Sequence, residues 1–381
     1  MIYFDNAATA FPKPEAVAEA VREAVRVYGA NPGRSGHALA LAAGERVYDC
    51  REAVAGLFGL DDPARIVFTA NCTESLNFVI KGVLRDGDHV VISSLEHNAV
   101  ARPVYALAAR GRIRFDIARV YPGEPWRTVE SFRRAFRPET RLCVCMMGSN
   151  VFGVTLPVRE IGELCRKSGV LFCVDAAQSA GLLPFDFPWD YACAAGHKGL
   201  YGPAGVGILA VRGDVVPQPV LEGGTGSLSS STRMPDFLPD ALESGTLNTV
   251  GILGLYEGVR FVRKETPQEL YRRELALTRF VYGELAGMRG VRLYTARPAE
   301  GGALPVLSFN LEEMDSEQAV ERLSDAGFAL RGGFHCAPLA HRTFRTFGGT
   351  IRFSPGAFNT REDAGKFVDC VRRMQRKPES V

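Results

Sequence analysis

Short, almost continuously apolar segments recur through the first half of the chain, and this recurrence restricts the fold more than any other feature. The clearest segments occupy residues 65–69, 89–93, 114–118, 142–146 and 170–174. An uninterrupted apolar run is typical of a strand whose two faces are both covered by helices. Amphipathic helical patterns lie between the runs, at residues 73–84, 128–137 and 158–168. The alternation predicts a mostly parallel α/β sheet with right-handed crossovers.

Two further strands are predicted at residues 191–195 and 206–211, which brings the sheet to seven strands. The pattern changes near residue 249. From there it predicts helices at residues 249–263, 268–288, 316–326 and 361–375, and strands at residues 306–311 and 350–353. We therefore expect a large domain at residues 15–255. A smaller α+β domain, which carries the loop around Cys336, is expected to consist of residues 1–14 and 256–381.

The composition is that of an ordinary globular protein. Of the 381 residues, 46% are hydrophobic and 23% are charged, which excludes a disordered, collagenous or coiled-coil chain. The 45 basic and 43 acidic residues give a net charge of +2, so no broad electrostatic field favours nucleic acid or a membrane. Residues 1–15 lack the pattern of an export signal, and no apolar run approaches membrane-spanning length. These features predict a cytoplasmic protein with reduced cysteines, and neither nucleic acid nor membrane as a partner.

Polar residues that follow the predicted strands are the candidates for chemistry, because open α/β sheets bind ligands beyond the carboxyl ends of their strands. Cys72 and Thr73 open a helix, where free backbone N–H groups and the helix dipole suit a phosphate group. The alternative is an ordinary N-cap by Asn71 or Thr73. His97 follows the next strand and could stack on a planar ligand or transfer a proton. It could equally be a loop histidine whose hydrogen bonds are satisfied locally.

Asp175 and Lys198 complete this group. Asp175 ends an apolar strand and needs a cationic partner, either a protonated ring nitrogen or an ordinary arginine. Lys198 lies in a glycine-rich turn, where a desolvated amine has a lowered pKa and can form a Schiff base. The glycines around it could also simply form turns. Phosphate donors, a stacking histidine, an acid and a lysine are together what pyridoxal 5'-phosphate requires.

The nine cysteines separate into bystanders and one candidate nucleophile. Seven are predicted to be small buried hydrophobes in strands or helices, namely Cys50, Cys143, Cys145, Cys165, Cys173, Cys193 and Cys370. No histidine or cysteine partner makes a zinc site of Cys143 and Cys145, so we expect no metal. Cys336 follows glycines and a histidine in a predicted loop, where a reactive thiolate could form. The alternative for Cys336 is an ordinary surface thiol.

Two motifs connect these residues to a known family. The first is the segment Tyr3-Phe4-Asp5-Asn6-Ala7-Ala8-Thr9, near the start of the sequence. The second is Arg331-Gly-Gly-Phe-His335-Cys336-Ala-Pro, in which Cys336 lies 16 residues before Arg352. The chain resembles the class V aminotransferase superfamily of pyridoxal-phosphate enzymes with fold type I, from the first motif to Phe358-Asn359-Thr360. Within that superfamily it is similar to the cysteine desulfurases of the SufS-like group II. Gly199 and the run Met234-Pro-Asp-Phe-Leu-Pro indicate a distinct subfamily.

The resemblance implies a role for each candidate residue. The implied cofactor ligands are Cys72, Thr73, His97, Asn150, Asp175, Gln178, His197, Lys198 and a partner subunit's copy of Thr246, which makes the protein a homodimer. Lys198 would bind the cofactor covalently and remove the substrate α-proton, with His97 stacked on the ring. Arg352, Arg331 and Asn150 would bind the substrate, since a guanidinium matches a carboxylate. Cys336 would accept the sulfur.

The implied activity is the conversion of L-cysteine to L-alanine, with a persulfide on Cys336 that passes to an acceptor protein or thiol. The alternatives are a selenocysteine lyase, an aminotransferase or C–S β-lyase on the same fold, and a non-catalytic protein of this fold. Three positions depart from the family pattern: Ala195 replaces a serine, Cys72 a common threonine, and Phe334 a second histidine. The loss of the serine hydrogen bond to phosphate is expected to cost about 1–2 kcal/mol of cofactor binding.

Overall fold

The protein is described by a computed structural model over residues 1–32 and 36–375. Its helices are α1 (Glu15–Arg26), α2 (Ala38–Leu57), α3 (Cys72–Val83), α4 (Asn98–Ala109), α5 (Pro125–Ala135), α6 (Val158–Ser168), α7 (Thr249–Glu265), α8 (Pro267–Ala286), α9 (Ser316–Asp325), α10 (Pro338–Phe344) and α11 (Arg361–Gln375). Its strands are β1 (Ile2–Tyr3), β2 (Ile66–Thr69), β3 (His89–Ser93), β4 (Arg114–Ala118), β5 (Thr140–Met146), β6 (Leu171–Asp175), β7 (Tyr191–Ala195), β8 (Gly207–Val211), β9 (Val291–Leu293), β10 (Leu307–Leu311), β11 (Phe328–Ala329) and β12 (Ile351–Phe353).

A seven-stranded sheet forms the centre of the fold, with strand order β2-β8-β7-β6-β5-β3-β4. Strands β3 to β7 pair in parallel, and β8 runs antiparallel to both β2 and β7. This confirms the predicted mainly parallel α/β sheet. In β2, β3, β7 and β8 every residue is buried, as expected for strands covered on both faces. The edge strand β4 has exposed residues.

Helices on both faces of the sheet enclose two apolar cores. Successive residues of β5 alternate between them, because side chains of a strand point to opposite faces. Cys143 and Cys145 lie in one core, and Leu142 and Val144 lie in the other. Eight of the nine cysteines are buried and carry no disulfide, whereas Cys336 is exposed. The seven predicted bystander cysteines are among the buried ones.

A second group of elements has its own core. The antiparallel sheet β12-β10-β9 and the parallel pair β1-β11 pack with α8, α9 and α11 around Phe4, Phe309, Phe353 and Phe367. Residues from both ends of the chain therefore meet in this unit, as the predicted small domain requires. The expected boundary between residues 255 and 256 falls inside α7, and it stays a prediction. None of the helices in residues 1–32 and 36–375 is both long and apolar enough to cross a membrane.

Candidate active site

The carboxyl edge of the large sheet brings four of the predicted residues together. Cys72 begins α3 after β2, His97 caps α4 after β3, Asp175 ends β6, and Lys198 follows β7. Cys72 Sγ lies 3.8 Å from Asp175 Oδ1, and the charge of Lys198 lowers the pKa values of Cys72, His97 and Asp175. Parallel strands end at the same edge, so residues far apart in sequence converge there.

Asp175 is a buried carboxylate with few internal partners. Its side chain is 5% exposed, and its Oδ1 accepts a hydrogen bond from the Ala177 N–H at 2.9 Å. The Cys72 thiol is a weaker donor, with Sγ at 3.8 Å from the same oxygen. Burial raises the pKa of Asp175, and the positive charge of Lys198 opposes that rise. A buried acid of this kind favours a cationic partner at the open end of the site.

Lys198 lies in a tight turn after β7. Burial lowers the pKa of its amine, and the nearby Cys72 and Asp175 partly oppose that effect. The following residue must be glycine, because a Cβ at Gly199 would lie 2.4 Å from the carbonyl oxygen of Ala180. The Tyr201 N–H donates to the Lys198 carbonyl at 2.8 Å and closes the turn. The turn therefore keeps the lysine partly desolvated and fixed in position.

The N-terminal motif supports this turn from the other side. The carbonyl of His197 accepts hydrogen bonds from Thr9 Oγ1 at 3.1 Å, from the Ala10 N–H at 3.0 Å and from Lys13 Nζ at 2.8 Å. Gln178 donates its Nε2 to the Ala7 carbonyl at 2.9 Å. Burial and the charges of Lys198 and Lys13 lower the pKa of His197 to about 4. His197 is therefore neutral at physiological pH.

His97 is held as one tautomer. Its Nδ1 accepts the Ala99 N–H at 3.0 Å, so the ring proton lies on Nε2. Burial, followed by the charges of Lys198 and Arg331, lowers the pKa of His97 to about 4. The ring is consequently neutral at pH 7. Its Nδ1 caps α4, and its Nε2–H takes no part in that cap.

The N-terminus of α3 accommodates both interpretations of its polar residues. Asn71 is the N-cap, and its Oδ1 accepts the Glu74 N–H at 3.0 Å. Within the part of the chain that the structure describes, the N–H groups of Cys72 and Thr73 form no hydrogen bond. Two free donors at a helix N-terminus are suited to an anion.

Three residues from distant parts of the chain, Arg352, Asn150 and His335, are bonded to one another near the site. Arg352 is 1% exposed, and its Nη1 donates to the Asn150 carbonyl at 3.0 Å while Nη2 donates to Asp5 Oδ1 at 2.6 Å. Asn150 Nδ2 donates to the His335 carbonyl at 2.8 Å. Arg352 Nε, Asn150 Oδ1 and His335 Nδ1 are buried and have no partner among the described residues. Such a cluster of orphaned polar atoms calls for a polar ligand.

The loop that carries Cys336 is anchored at its backbone. His335 and Cys336 both have left-handed φ values, +47° and +56°. The Cys336 carbonyl accepts the Asn98 N–H at 2.8 Å, and His335 Nε2 donates to the Thr350 carbonyl at 2.9 Å. Arg331 Nη2 lies 4.0 Å from the exposed Cys336 Sγ. Burial and the charge of Arg352 lower the pKa of His335 to about 2, so this ring is neutral.

Thr246 does not join this group within its own chain. It is exposed in the segment before α7, where it lines a different cavity together with Glu74 and Leu221. Its predicted role concerns the site of a partner subunit and stays a prediction.

Two acids at the site were not predicted. Asp5 is the counter-ion of Arg352, although its motif gave it no role of its own. Glu96 is fully buried; its Oε1 accepts from the Met146 N–H at 2.9 Å and from Ser93 Oγ, and burial raises its pKa to about 8. The sequence signal that could have identified Glu96 is its position directly before His97, in the segment that follows β3.

The fold and this lysine-centred site are those of fold type I, and the chain belongs to the class-V aminotransferase family. The model of that family, aminotransferase class-V, matches residues 2–367.

Within the family, the chain is similar to proteins named as cysteine desulfurases. A probable cysteine desulfurase of Methanothermobacter thermautotrophicus is 33% identical over 95% of this chain and 92% of its own length. A cysteine desulfurase of Yersinia pestis is 30% identical over 99% and 94%. The apo structure of the cysteine desulfurase from Thermococcus onnurineus NA1 has a TM-score of 0.89 and 28% identity, and the match covers 98% of this chain and 94% of that one.

Proposed function

We propose that the protein is a pyridoxal-phosphate-dependent cysteine desulfurase, which converts L-cysteine to L-alanine and holds the sulfur as a persulfide on Cys336. The observation that carries this proposal is the placement of Cys336. It is the exposed cysteine of the chain, and its loop is bonded to Asn150 and thereby to Arg352. The charge of Arg352 in turn acts on the amine of Lys198, so the cysteine loop is connected to the lysine site. The names of the relatives support the same activity.

The residues of the site fit pyridoxal phosphate. The free N–H groups of Cys72 and Thr73 suit its phosphate, and buried Asp175 suits its protonated ring nitrogen. The neutral ring of His97 can stack on it, and Lys198 can bind its aldehyde carbon. When bound, the cofactor supplies an electron sink that stabilises negative charge at the substrate α-carbon.

Lys198 is the base in this mechanism. A lowered pKa increases the fraction of its amine that is unprotonated at neutral pH, and an unprotonated amine can take the α-proton of the substrate. The turn fixes its backbone through Tyr201 and Gly199, so the amine moves only by rotation of its own side chain.

Arg352 is the group that binds the substrate carboxylate, assisted by Arg331. Asp5 and the Asn150 carbonyl hold its two Nη atoms, and its Nε remains free for an acceptor. Because the guanidinium is already fixed on two sides, it loses little further conformational freedom when the substrate binds. This fixed position favours one orientation of the substrate. Asn150 Oδ1 is an acceptor available to the substrate or cofactor.

Cys336 is the nucleophile. The Arg331 guanidinium near its Sγ favours negative charge on the sulfur by electrostatic attraction. The thiolate attacks the substrate sulfur, a new S–S bond forms, and the substrate Cβ–S bond breaks. The electron pair of the broken bond stays on the substrate, which takes up a proton and leaves as alanine.

Product identification tests the proposal. Purified protein is incubated with pyridoxal phosphate, L-cysteine and dithiothreitol, and alanine, pyruvate, ammonia and sulfide are quantified. A cysteine desulfurase releases alanine and sulfide in equal amounts, whereas a C–S β-lyase releases pyruvate and ammonia. Lys198→Ala should abolish turnover, and Lys81→Ala, an exposed lysine of α3, should not. Full activity in Lys198→Ala would overturn the proposal.

A selenocysteine lyase is separated by the substrate. The same assay is repeated with L-selenocysteine. A cysteine desulfurase should release alanine from L-cysteine, whatever its rate with L-selenocysteine. Failure to process L-cysteine, with rapid release of alanine from L-selenocysteine, would favour the lyase.

A further inference from the structure

Glu274 is a buried acid without a partner of opposite charge. The buried acids of the described chain are Glu96, Asp175, Glu243 and Glu274. Glu96 and Asp175 belong to the active site, and Glu243 is paired with Arg51 at 2.7 Å. Glu274 is 4% exposed, and no cation lies within 4.0 Å of its carboxyl in residues 1–32 and 36–375. Such an acid is costly to bury, so its presence calls for a specific contact.

That contact is with Tyr201, three residues after Lys198. Within the described chain, the carboxyl of Glu274 is bonded to one group, the Tyr201 hydroxyl, which donates to Oε1 at 3.1 Å. The charge of Arg273 also acts on Glu274, but that guanidinium is bonded to Glu265 at 2.6 Å. Burial raises the pKa of Glu274 to about 8. The acid is therefore mainly uncharged at pH 7 and serves Tyr201 as a hydrogen-bond acceptor.

Tyr201 joins three parts of the chain. Its hydroxyl donates to Glu274 in α8 and accepts the N–H of Ala357, at 2.8 Å, from the segment after β12. Its backbone N–H donates to the Lys198 carbonyl at 2.8 Å. The ring is buried and packs edge-on against Phe261, with 5.1 Å between the ring centroids. The lysine turn is thus connected through one side chain to α8 and to the segment after β12.

The backbone of Tyr201 has a conformation that a tyrosine disfavours. Its φ of +55° lies in the left-handed region, which residues other than glycine rarely adopt. Such a conformation persists only where the surroundings hold it. Helix α7 packs directly on the turn, since Gly258 leaves no room for a side chain beside the Leu200 carbonyl. The hydroxyl bonds of Tyr201 hold the same residue from the side of α8.

We infer that Tyr201 and Glu274 are positioning residues for Lys198: the bonded hydroxyl of Tyr201 keeps the lysine turn in the conformation that directs the amine at the substrate. This inference rests on the proposed function, in which Lys198 binds the cofactor and takes the α-proton. The three residues line one cavity, so the acid is adjacent to the turn that it holds.

A residue that positions a base affects proton transfer more than substrate binding. The α-proton moves only when the amine lies within hydrogen-bond reach of it. Arg352, which is proposed to bind the substrate carboxylate, is held by Asp5 and the Asn150 carbonyl instead. Loss of the link between Tyr201 and Glu274 should therefore lower kcat and leave KM for L-cysteine nearly unchanged.

Three variants of the holoenzyme test the link, and a fourth is the control. Tyr201→Phe removes the hydroxyl and keeps the ring, Glu274→Leu removes the acceptor, and Glu274→Gln keeps an acceptor oxygen without the acid. Tyr271→Phe is the matched control. The hydroxyl of Tyr271 is also bonded on two sides, to the Ala303 carbonyl at 2.8 Å and the Gly301 N–H at 2.9 Å, but these partners lie outside the lysine turn.

Proton transfer is measured without sulfur chemistry, as exchange of the α-proton of L-alanine in D2O followed by NMR. Tyr201→Phe and Glu274→Leu should lower this exchange rate, and kcat for alanine release from L-cysteine, by about tenfold or more. Their KM for L-cysteine, and both rates of Glu274→Gln and Tyr271→Phe, should stay within about threefold of the wild-type values.

Visible circular dichroism of the bound cofactor reports the lysine position independently, because an achiral chromophore gains this signal from the way in which the protein holds it. The signal should change in Tyr201→Phe and Glu274→Leu, and it should be retained in Glu274→Gln and Tyr271→Phe. Thermal unfolding midpoints of Tyr201→Phe and Tyr271→Phe should fall by similar amounts, since each loses two buried hydrogen bonds. A general loss of stability would therefore not separate the two tyrosines, whereas a loss of lysine positioning does.

Wild-type rates and circular dichroism in Tyr201→Phe would overturn the inference, and so would losses of equal size in Tyr271→Phe. If Tyr201→Phe does not fold, the two variants of Glu274 decide, and equal rates in Glu274→Leu and Glu274→Gln overturn the inference. Each of these results, obtained with normal alanine release by the wild type, leaves the proposed function intact. Absence of alanine release from L-cysteine by the wild type would instead refute the proposed function itself.

Discussion

Arg352 shows how single residues of this site depend on distant parts of the chain. A fully buried guanidinium is costly unless it is paired and hydrogen-bonded. Asp5, near the start of the chain, and Asn150, from the turn after β5, provide the two partners. Burial lowers the pKa of Arg352, whereas Asp5 raises it, so the acid helps to keep the guanidinium charged. The N-terminal motif thus supports the residue that we propose to bind the substrate carboxylate.

His335 makes the stability of the protein depend on pH. Its pKa is lowered to about 2 in the folded protein, from a value of about 6.5 in the unfolded chain. Below pH 6.5 the unfolded chain therefore binds a proton that the folded protein does not, and stability falls as the pH falls. Between pH 7 and pH 5 the expected loss from this group is about 2 kcal/mol.

Urea unfolding of the wild type and of His335→Gln at both pH values measures this loss. The glutamine keeps a donor for the Thr350 carbonyl but cannot titrate. The drop in unfolding free energy from pH 7 to pH 5 should be smaller in the variant by about 2 kcal/mol. Identical pH dependence in the two proteins would show that His335 is protonated in the folded state.

At the scale of elements, the turn between β7 and β8 places Lys198. The close approach of Gly199 to the Ala180 carbonyl leaves no room for a side chain. Gly199→Ala should destabilise the protein by about 1–3 kcal/mol and reduce turnover, because the turn must shift. Gly283→Ala in α8 is the matched control, since a Cβ there meets no atom within 4 Å. The control should be stabilised by up to about 1 kcal/mol.

Thermal unfolding and alanine release measure both variants. Unchanged stability and activity in Gly199→Ala would contradict the packing of this turn.

Most strands and several helices could be predicted because their sequence patterns are local. The strand at β3 and the helices α6 and α11 coincide with their predicted ranges. Helices α1, α2 and α4 were not predicted. In α2, eight residues distributed around the helix are buried, so a polar face is poorly defined, and α4 contains Pro103 in its interior. The short strands β1, β9 and β11 exist through pairing with distant partners, which no local pattern encodes.

The site was predictable where chemistry follows the strands, and unpredictable where it depends on long-range packing. Asp175 and Lys198 were identified because an acid and a lysine are unusual in their surroundings. The pairing of Asp5 with Arg352 joins residues 347 positions apart, and no sequence spacing reports it. The tautomer of His97 likewise depends on the Ala99 N–H, which is a feature of the helix start.

At the scale of the whole molecule, Thr246 predicts a dimer with shared sites. It lines a cavity to which Lys198 does not contribute, and its proposed contact is with the phosphate in the site of a second subunit. Thr246→Ala should bind pyridoxal phosphate about tenfold or more weakly, through loss of a hydrogen bond to a charged group. Sedimentation should show a dimer, and a fully active monomer would contradict the assembly.

Mixed dimers test the sharing directly. Chains with Lys198→Ala are combined with chains with Thr246→Ala, and cofactor affinity is measured. One site of each mixed dimer then has both an intact lysine and an intact partner threonine, so about half of the sites of purified mixed dimers should regain wild-type affinity. No recovery on mixing would show that Thr246 acts within its own chain.

The central claim is that Cys336 receives the sulfur, and the Cys336→Ala variant tests it most directly. Cys336 contributes no side-chain contact to Asp175, Lys198 or His97, so the variant should still bind pyridoxal phosphate and L-cysteine. Mass spectrometry after mixing with L-cysteine should show an added sulfur on the wild type and none on the variant, whose alanine release should be at most a small residue of the wild-type rate. Undiminished alanine release from L-cysteine by Cys336→Ala would contradict the account.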